Sequence, residues 1–197
     1  MEHSNIYQTL LDEVRSAYLG HPDTLDFAPF PDDVRPQDMT PFHARCGDAF
    51  REEMGLSSDR YPDLQNAIKA AGPHALWRET YKGTDIGDDF MRKFGCFSII
   101  GKGGPFTSDK LWAFMVYMPS GLYYPWHQHP AEEMYFVVSG SGVFKREGCQ
   151  DEILTAGQTV FNSSNQPHAM ETRDEPVLCL VFWRDRFETA PVLSPDE

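Results

Sequence analysis

Two periodicities divide the chain. In its first part, apolar residues recur at helical spacing. Ile6, Leu10, Leu11, Val14 and Tyr18 stand at i, i+4, i+5, i+8 and i+12, which predicts a helix over 5–19. Ser4 or Asn5 suits its N-cap, and Gly20 suits its stop. Residues 21–41 hold five prolines (Pro22, Pro29, Pro31, Pro36, Pro41) and read as an irregular connection without a helix. Helical pattern returns around 42–54, closed by Gly55. It returns again in PDLQNAIKAAGP, where Pro62 opens the helix, Leu64 and Ile68 face inward, and Gly72-Pro73 ends it.

After about residue 75 the pattern changes to short apolar runs. Residues 96–100, 111–118, 133–139, 142–147, 158–162 and 177–184 read as strands. The breaks GKGG, SGSG, TAG and NSSNQP separate them. Many short strands divided by turns predict an all-β sandwich or barrel. The expected organisation is a helical N-terminal segment, 1–75, packing on a β-barrel, 76–197, as a single structural unit. No internal repeat is visible.

Composition narrows the function. At 197 residues, one domain is the default. Hydrophobic residues make up 41% and aromatics 13%, enough for a real core and against a disordered acidic chain. Lys+Arg number 17 against 30 Asp+Glu, giving a net charge of −13. That balance argues against nucleic acid as a partner, which needs a basic surface. No run of about 20 apolar residues occurs, so no membrane span is expected. The first residues carry Glu2 and Asp12-Glu13 and do not form a secretory signal, so the expected location is cytoplasmic. Cys46, Cys96, Cys149 and Cys179 are scattered, with no CxxC pair, and read as free thiols in structural roles.

The chemistry concentrates between Gly121 and Gly140. In a strand His127 and His129 point to one side, and Glu133 follows closely. Two imidazoles and a carboxylate suit a divalent transition metal. His168, after a loop and a strand-like segment beginning at Gly157, is the candidate fourth ligand. His3, His21, His43 and His74 have no such company. HxH alone arises by chance; HxH with this Glu, this Gly and a later Pro-His is far rarer.

These residues match the first cupin motif, G(X)5HXH(X)3-4E(X)6G, at Gly121, His127, His129, Glu133 and Gly140. The second motif, G(X)5PXG(X)2H(X)3N, is matched at Gly157 and His168. Its PXG turn is replaced within Asn162–Pro167, and Thr172 stands at its Asn position. The chain thus resembles the cupins. That resemblance implies a mainly β fold: a double-stranded β-helix, or jelly-roll, barrel with the metal in its mouth and an N-terminal helical segment attached.

Cupins host many reactions, so the site must carry the function. Tyr135 sits two after Glu133, and Tyr124 three before His127. A phenol beside a cation is pushed toward phenolate, which can act as a base. The arrangement resembles the cupin-type dimethylsulfoniopropionate (DMSP) lyases of the DddQ type, also in chain length and helical N-terminus. The resemblance implies that His127, His129, Glu133 and His168 hold one divalent metal, with Zn, Fe, Mn, Ni and Co all suited. It implies Tyr135 as general base and Tyr124 as a second catalytic residue helping to bind substrate or metal. The substrate would be a small sulfonium carboxylate, cleaved by β-elimination. Its cationic head could rest on Tyr123, Trp126, Trp183 or Phe182, among which the sequence does not choose. Two other readings remain: an Fe-dependent dioxygenase of a small acid or thiol, and a non-catalytic sensor. The resemblance also allows a homodimer, since cupins often pair through their sheets.

Overall fold

The computed structural model describes residues 2–195. The N-terminal part holds α1 (Glu2–Leu19), α2 (Pro22–Phe27), a two-residue strand β1 (Arg35–Pro36), α3 (Arg45–Glu52) and α4 (Pro62–Ala71), which runs into a 3-10 turn at Gly72–His74. Then come α5 (Asp88–Lys93), β2 (Gly95–Ile100), β3 (Phe106–Thr107), β4 (Trp112–Met118) and β5 (Tyr123–Gln128). The long β6 (Glu132–Arg146) is followed by β7 (Glu152–Thr155), β8 (Thr159–Asn162), β9 (His168–Glu171), β10 (Val177–Arg184) and β11 (Val192–Leu193).

The strands hydrogen-bond in the order β1-β3-β2-β4-β10-β6-β9-β5-β11, with β7 and β8 also pairing with β6. β6 is the hinge of this barrel. Its first half pairs with β10 and β8; its second half pairs with β7 and β9. The SGSG segment, read as a break, is the corner of this one continuous strand. Gly140 makes the corner: its φ is +73°, and a Cβ there would collide with the Pro176 carbonyl.

Strands β2, β4, β6 and β10 are buried on both faces, which explains their near-continuous apolar runs. Alternate residues feed two separate cores. Met115, Tyr117, Phe136, Leu180 and Phe182 pack against Leu10, Val14, Tyr18, Leu64 and Ile68 of the helices. Phe114, Val116, Tyr135, Val181 and Trp183 face the lumen. Tyr18 meets Phe182 edge-on at 4.8 Å, and Tyr61 meets Phe136 at 5.1 Å.

The helical expectations need local corrections. Ser4 and Asn5 lie inside α1, which starts at Glu2. The proline-rich 21–41 contains a short helix after all. Pro22 sits at its first position, where no N–H is needed, and the His21 ring accepts from Asp23 N. The helix expected over 42–54 is confined to Arg45–Glu52. The small helix α5 lies within the strand-rich half. Its signal was acidic start and basic end, reinforced by Arg92–Asp88 and Lys93–Asp89 pairs at 2.7 Å. β7 and β9, four residues each, are not among the runs read as strands; β9 lacks the apolar, β-branched run that marks β8. No helix of the described residues is long and apolar enough to cross a membrane.

Candidate metal centre

β5, the turn that follows it, β6 and β9 bring the histidines and the glutamate into one lumen. His127 is the cross-strand partner of His168, and Glu133 is the partner of both Trp183 and Asn162. His127, His129, Glu133 and His168 are all buried. Each imidazole is held by a backbone carbonyl two residues away: His127 Nδ1 to Pro125 O at 2.8 Å, His129 Nδ1 to Ala131 O at 3.0 Å, His168 Nδ1 to Gln166 O at 2.8 Å. A carbonyl only accepts, so Nδ1 carries the proton and Nε2 presents its lone pair.

The Nε2 atoms of His129 and His168 are buried without a hydrogen-bond partner. They face the carboxylate of Glu133 at 3.3 and 3.1 Å. Lone pairs aimed at carboxylate oxygens are what a cation between them satisfies. The donors of His129, Glu133 and His168 all lie within 4.8 Å of one another, and two nitrogens with a carboxylate oxygen fit a divalent transition metal. His127 stands beside this trio rather than inside it. Its ring is 4.1 Å from that of His168 and 6.4 Å from that of His129. Burial and the neighbouring His168 hold its pKa well below the ordinary histidine value, so it is neutral.

Glu133 is held from both sides. Trp183 Nε1 donates to Oε1 at 2.6 Å, and Asn162 Nδ2 donates to Oε2 at 2.7 Å. Burial alone would raise its pKa. Positive charge placed beside it, on the flanking imidazoles when no cation is bound, outweighs that and holds it well below the usual carboxylate range. Asn162 was missed in the sequence; its one clue is its place at the head of the altered second-motif loop. That loop is well made. Asn165 stands where the motif has glycine and takes the left-handed conformation at φ 57°, which asparagine tolerates. Its N–H donates to His129 O at 2.8 Å, which docks the loop before His168 against the turn after His127. Thr172, in place of the motif asparagine, accepts from Leu122 N at 3.0 Å and ties β9 to the start of β5.

The tyrosines separate clearly. Tyr135 lines the cavity. Burial first, then the charge of Glu133, pushes its pKa well above the ordinary phenol value, so the protein alone keeps it neutral. Tyr124 also lines the cavity and stacks on His127 at 3.9 Å and 15°. Residues three apart in a regular strand face opposite ways; the register shift between Tyr124 and His127 puts them on one face. Tyr81, from the loop before α5, shares a 2.7 Å hydroxyl contact with Tyr124. Phe90 of α5 and Phe94, the residue after it, also pack on Tyr124, with ring centroids at 5.3 and 4.6 Å. The sequence singles out none of these three, because they lie on the short helix and loops before β2, where no motif stands.

Of the other aromatics, Trp183 enters the site, with its ring 4.2 Å from that of His129. Tyr123 does not line the cavity; it is 42% exposed, on the opposite face from Tyr124. Trp126 is half-buried and also outside the lining. Phe182 faces Tyr18 on the helical side. Cys96 lines the cavity, but burial pushes its thiol up to about 11, so it is inert there.

A barrel of this topology with a histidine–glutamate–histidine cluster in its lumen is a cupin. The family model for dimethylsulfoniopropionate lyase matches residues 24–179. The chain belongs to that family. It is 44% identical over 191 residues to dimethylsulfoniopropionate lyase DddQ of Ruegeria pomeroyi, covering 97% of this chain and 95% of the relative. The crystal structure of DMSP lyase DddQ from that organism superposes with a TM-score of 0.94 over 96% of each chain. A chain from crystal structures of the DMSP lyases RdDddP and RnDddQII superposes at 0.93, with 35% identity, over 98% of this chain and 100% of that one.

Proposed function

We propose that this protein is a metal-dependent carbon–sulfur lyase that splits DMSP into dimethyl sulfide and acrylate. The observation that carries the reading is the pair of orphaned Nε2 atoms facing a doubly anchored Glu133, in a cavity that also presents Tyr135. The near full-length likeness to DddQ of Ruegeria pomeroyi supports the same substrate.

The proton to be removed sits on the carbon next to the carboxylate, and that carbon acid is weak. A divalent metal held by His129, Glu133 and His168, with His127 adjacent, would supply positive charge to a bound carboxylate and favour the phenolate of Tyr135. Tyr135 Oη takes the proton. The C–H electrons become the new C=C bond, the C–S electrons leave with sulfur, and the products are acrylate and neutral dimethyl sulfide. The leaving group needs no acid. Asn162 and Trp183 hold Glu133 in place while this occurs, and the aromatic cover from Phe94 and Tyr124 keeps water from the base.

The test is headspace detection of dimethyl sulfide from DMSP under anaerobic conditions, with Zn, Mn, Fe, Co or Ni supplied. Release with matching acrylate supports the lyase. Absence of release with every metal removes it. Tyr135→Phe should lower turnover by about 10²–10⁴-fold at unchanged metal content; full activity would take Tyr135 out of the base role.

A further inference from the structure

The cavity lining contains one lysine or arginine among the described residues, Arg78. It lies between the helical segment and β2, in a stretch with no motif. Its backbone is fixed, because Arg78 N donates to Cys96 O at 2.8 Å on β2. Its guanidinium lies over the ring of Phe114 at 4.9 Å. Phe114 in turn packs on Trp183 at 5.0 Å, and Trp183 lies against His129. Arg78 is therefore built into the same aromatic wall as the metal centre.

What Arg78 lacks is an acid. Arg146 and Arg184, at the ends of barrel strands, are paired with Glu152 and Glu132. Among the described residues no carboxylate lies within ion-pair distance of Arg78, and the one acid lining the cavity, Glu133, is already engaged by Trp183 and Asn162. A guanidinium stacked on an aromatic face keeps its in-plane N–H donors available. Facing a cavity, that fork suits one ligand chemistry above others: a carboxylate taken by two parallel N–H···O bonds.

We propose that Arg78 is the carboxylate-recognising residue of this cavity, selecting small monocarboxylates and setting their direction. It rests on the lyase reading for the identity of the carboxylate. The same charge repels an onium group, so a substrate carrying both ends enters with its carboxylate toward Arg78 and its cationic end away from it, against the aromatic lining. The metal alone would attract any anion or neutral oxygen donor; the guanidinium fork adds the preference for a planar carboxylate.

The experiment is calorimetric titration of the metal-loaded protein with acrylate and with its neutral isostere acrylamide, for wild type, Arg78→Lys and Arg78→Met. Each variant is first checked for unchanged metal content and melting temperature. The expected result is acrylate binding weakened about tenfold or more in Arg78→Met, since a charge-assisted hydrogen bond is lost. Arg78→Lys should show a smaller loss, and acrylamide binding should not change. For DMSP, KM should rise by a similar factor with kcat nearly constant. Unchanged acrylate affinity in Arg78→Met overturns the proposal. So does equal weakening of acrylate and acrylamide, which would mean that Arg78 only supports Phe114. If Arg78→Met fails to fold, Arg78→Lys decides: acrylate affinity and DMSP KM both at wild-type values overturn the proposal. The lyase reading fails separately. Wild type that binds acrylate through Arg78 but releases no dimethyl sulfide leaves this inference standing and removes the substrate.

Discussion

Along β4, Ala113, Met115 and Tyr117 face the helices, while Phe114, Val116 and Met118 face the lumen. β10 divides the same way: Leu178, Leu180 and Phe182 outward, Cys179, Val181 and Trp183 inward. Both faces are aromatic and buried, yet they differ in how polar atoms are treated. On the helical side the polar tips find protein partners. Tyr18 donates to Ala28 O, Trp77 to Gly72 O, and Tyr117 to Glu53, all within 2.9 Å. Gln65 Oε1 is the exception among the described residues. On the lumen side His129 Nε2, His168 Nε2 and Asn162 Oδ1 are left open. Unpartnered buried polar atoms are costly, so natural folds keep few of them. Three gathered at one site mark the face that binds. The lesson is that equal burial serves stability on one side and chemistry on the other, and the polar atoms tell the two apart.

The sharpest way to break this comparison is at the lumen trio. His129→Ala should abolish metal binding and turnover together, while the melting temperature of the metal-free protein changes little. Metal analysis and dimethyl sulfide release check it; undiminished metal content would remove His129 from the ligand set. The opposite face should respond the other way. Phe136→Ala empties a fully buried position against Tyr61 and His21, at a cost of about 3–5 kcal/mol in denaturant unfolding. Protein that remains folded should keep its metal affinity, and a large loss of affinity would erase the distinction between the faces.

A smaller effect tests the support of Glu133. Asn162→Ala removes one of the two hydrogen bonds holding the carboxylate and should weaken metal affinity by about 10–100-fold, measured by competition with a chelator. The smallest effect is in pH. His127 has a folded pKa held well below 6.5 by burial and by His168. The unfolded chain takes up a proton as pH falls through about 6.5, and the folded protein does not. Its contribution to stability is therefore complete above that value and is lost progressively below it. Melting of the metal-stripped protein should be flat between pH 7 and 8 and fall below about 6.5, with a shallower fall in His127→Gln. An identical slope in that variant would place the titrating group elsewhere.

How much of this was legible without the fold depends on distance along the chain. The helical stripe of α1, the start of α4 at Pro62 and the strand runs of β2, β4, β8 and β10 depend on neighbours within a few residues, so periodicity and end signals found them. The motif also put His127, His129, Glu133 and His168 forward, because a metal's ligands need fixed spacing on adjacent strands. Tertiary structure decided the rest. Tyr124 joins His127 through a register shift that no alternation rule foresees, while Tyr123 turns to solvent. Asn162 and Trp183 reach Glu133 from positions 29 and 50 residues away, by cross-strand register alone. Tyr81 and Arg78 come from an irregular link that has no period to read. The sequence by itself determined the longer helices and the apolar strand runs and put the candidate ligand types forward, since both are local chemistry. Only the tertiary structure decided which aromatics, amide and cation surround them, since strand pairing between distant segments sets what each side chain meets.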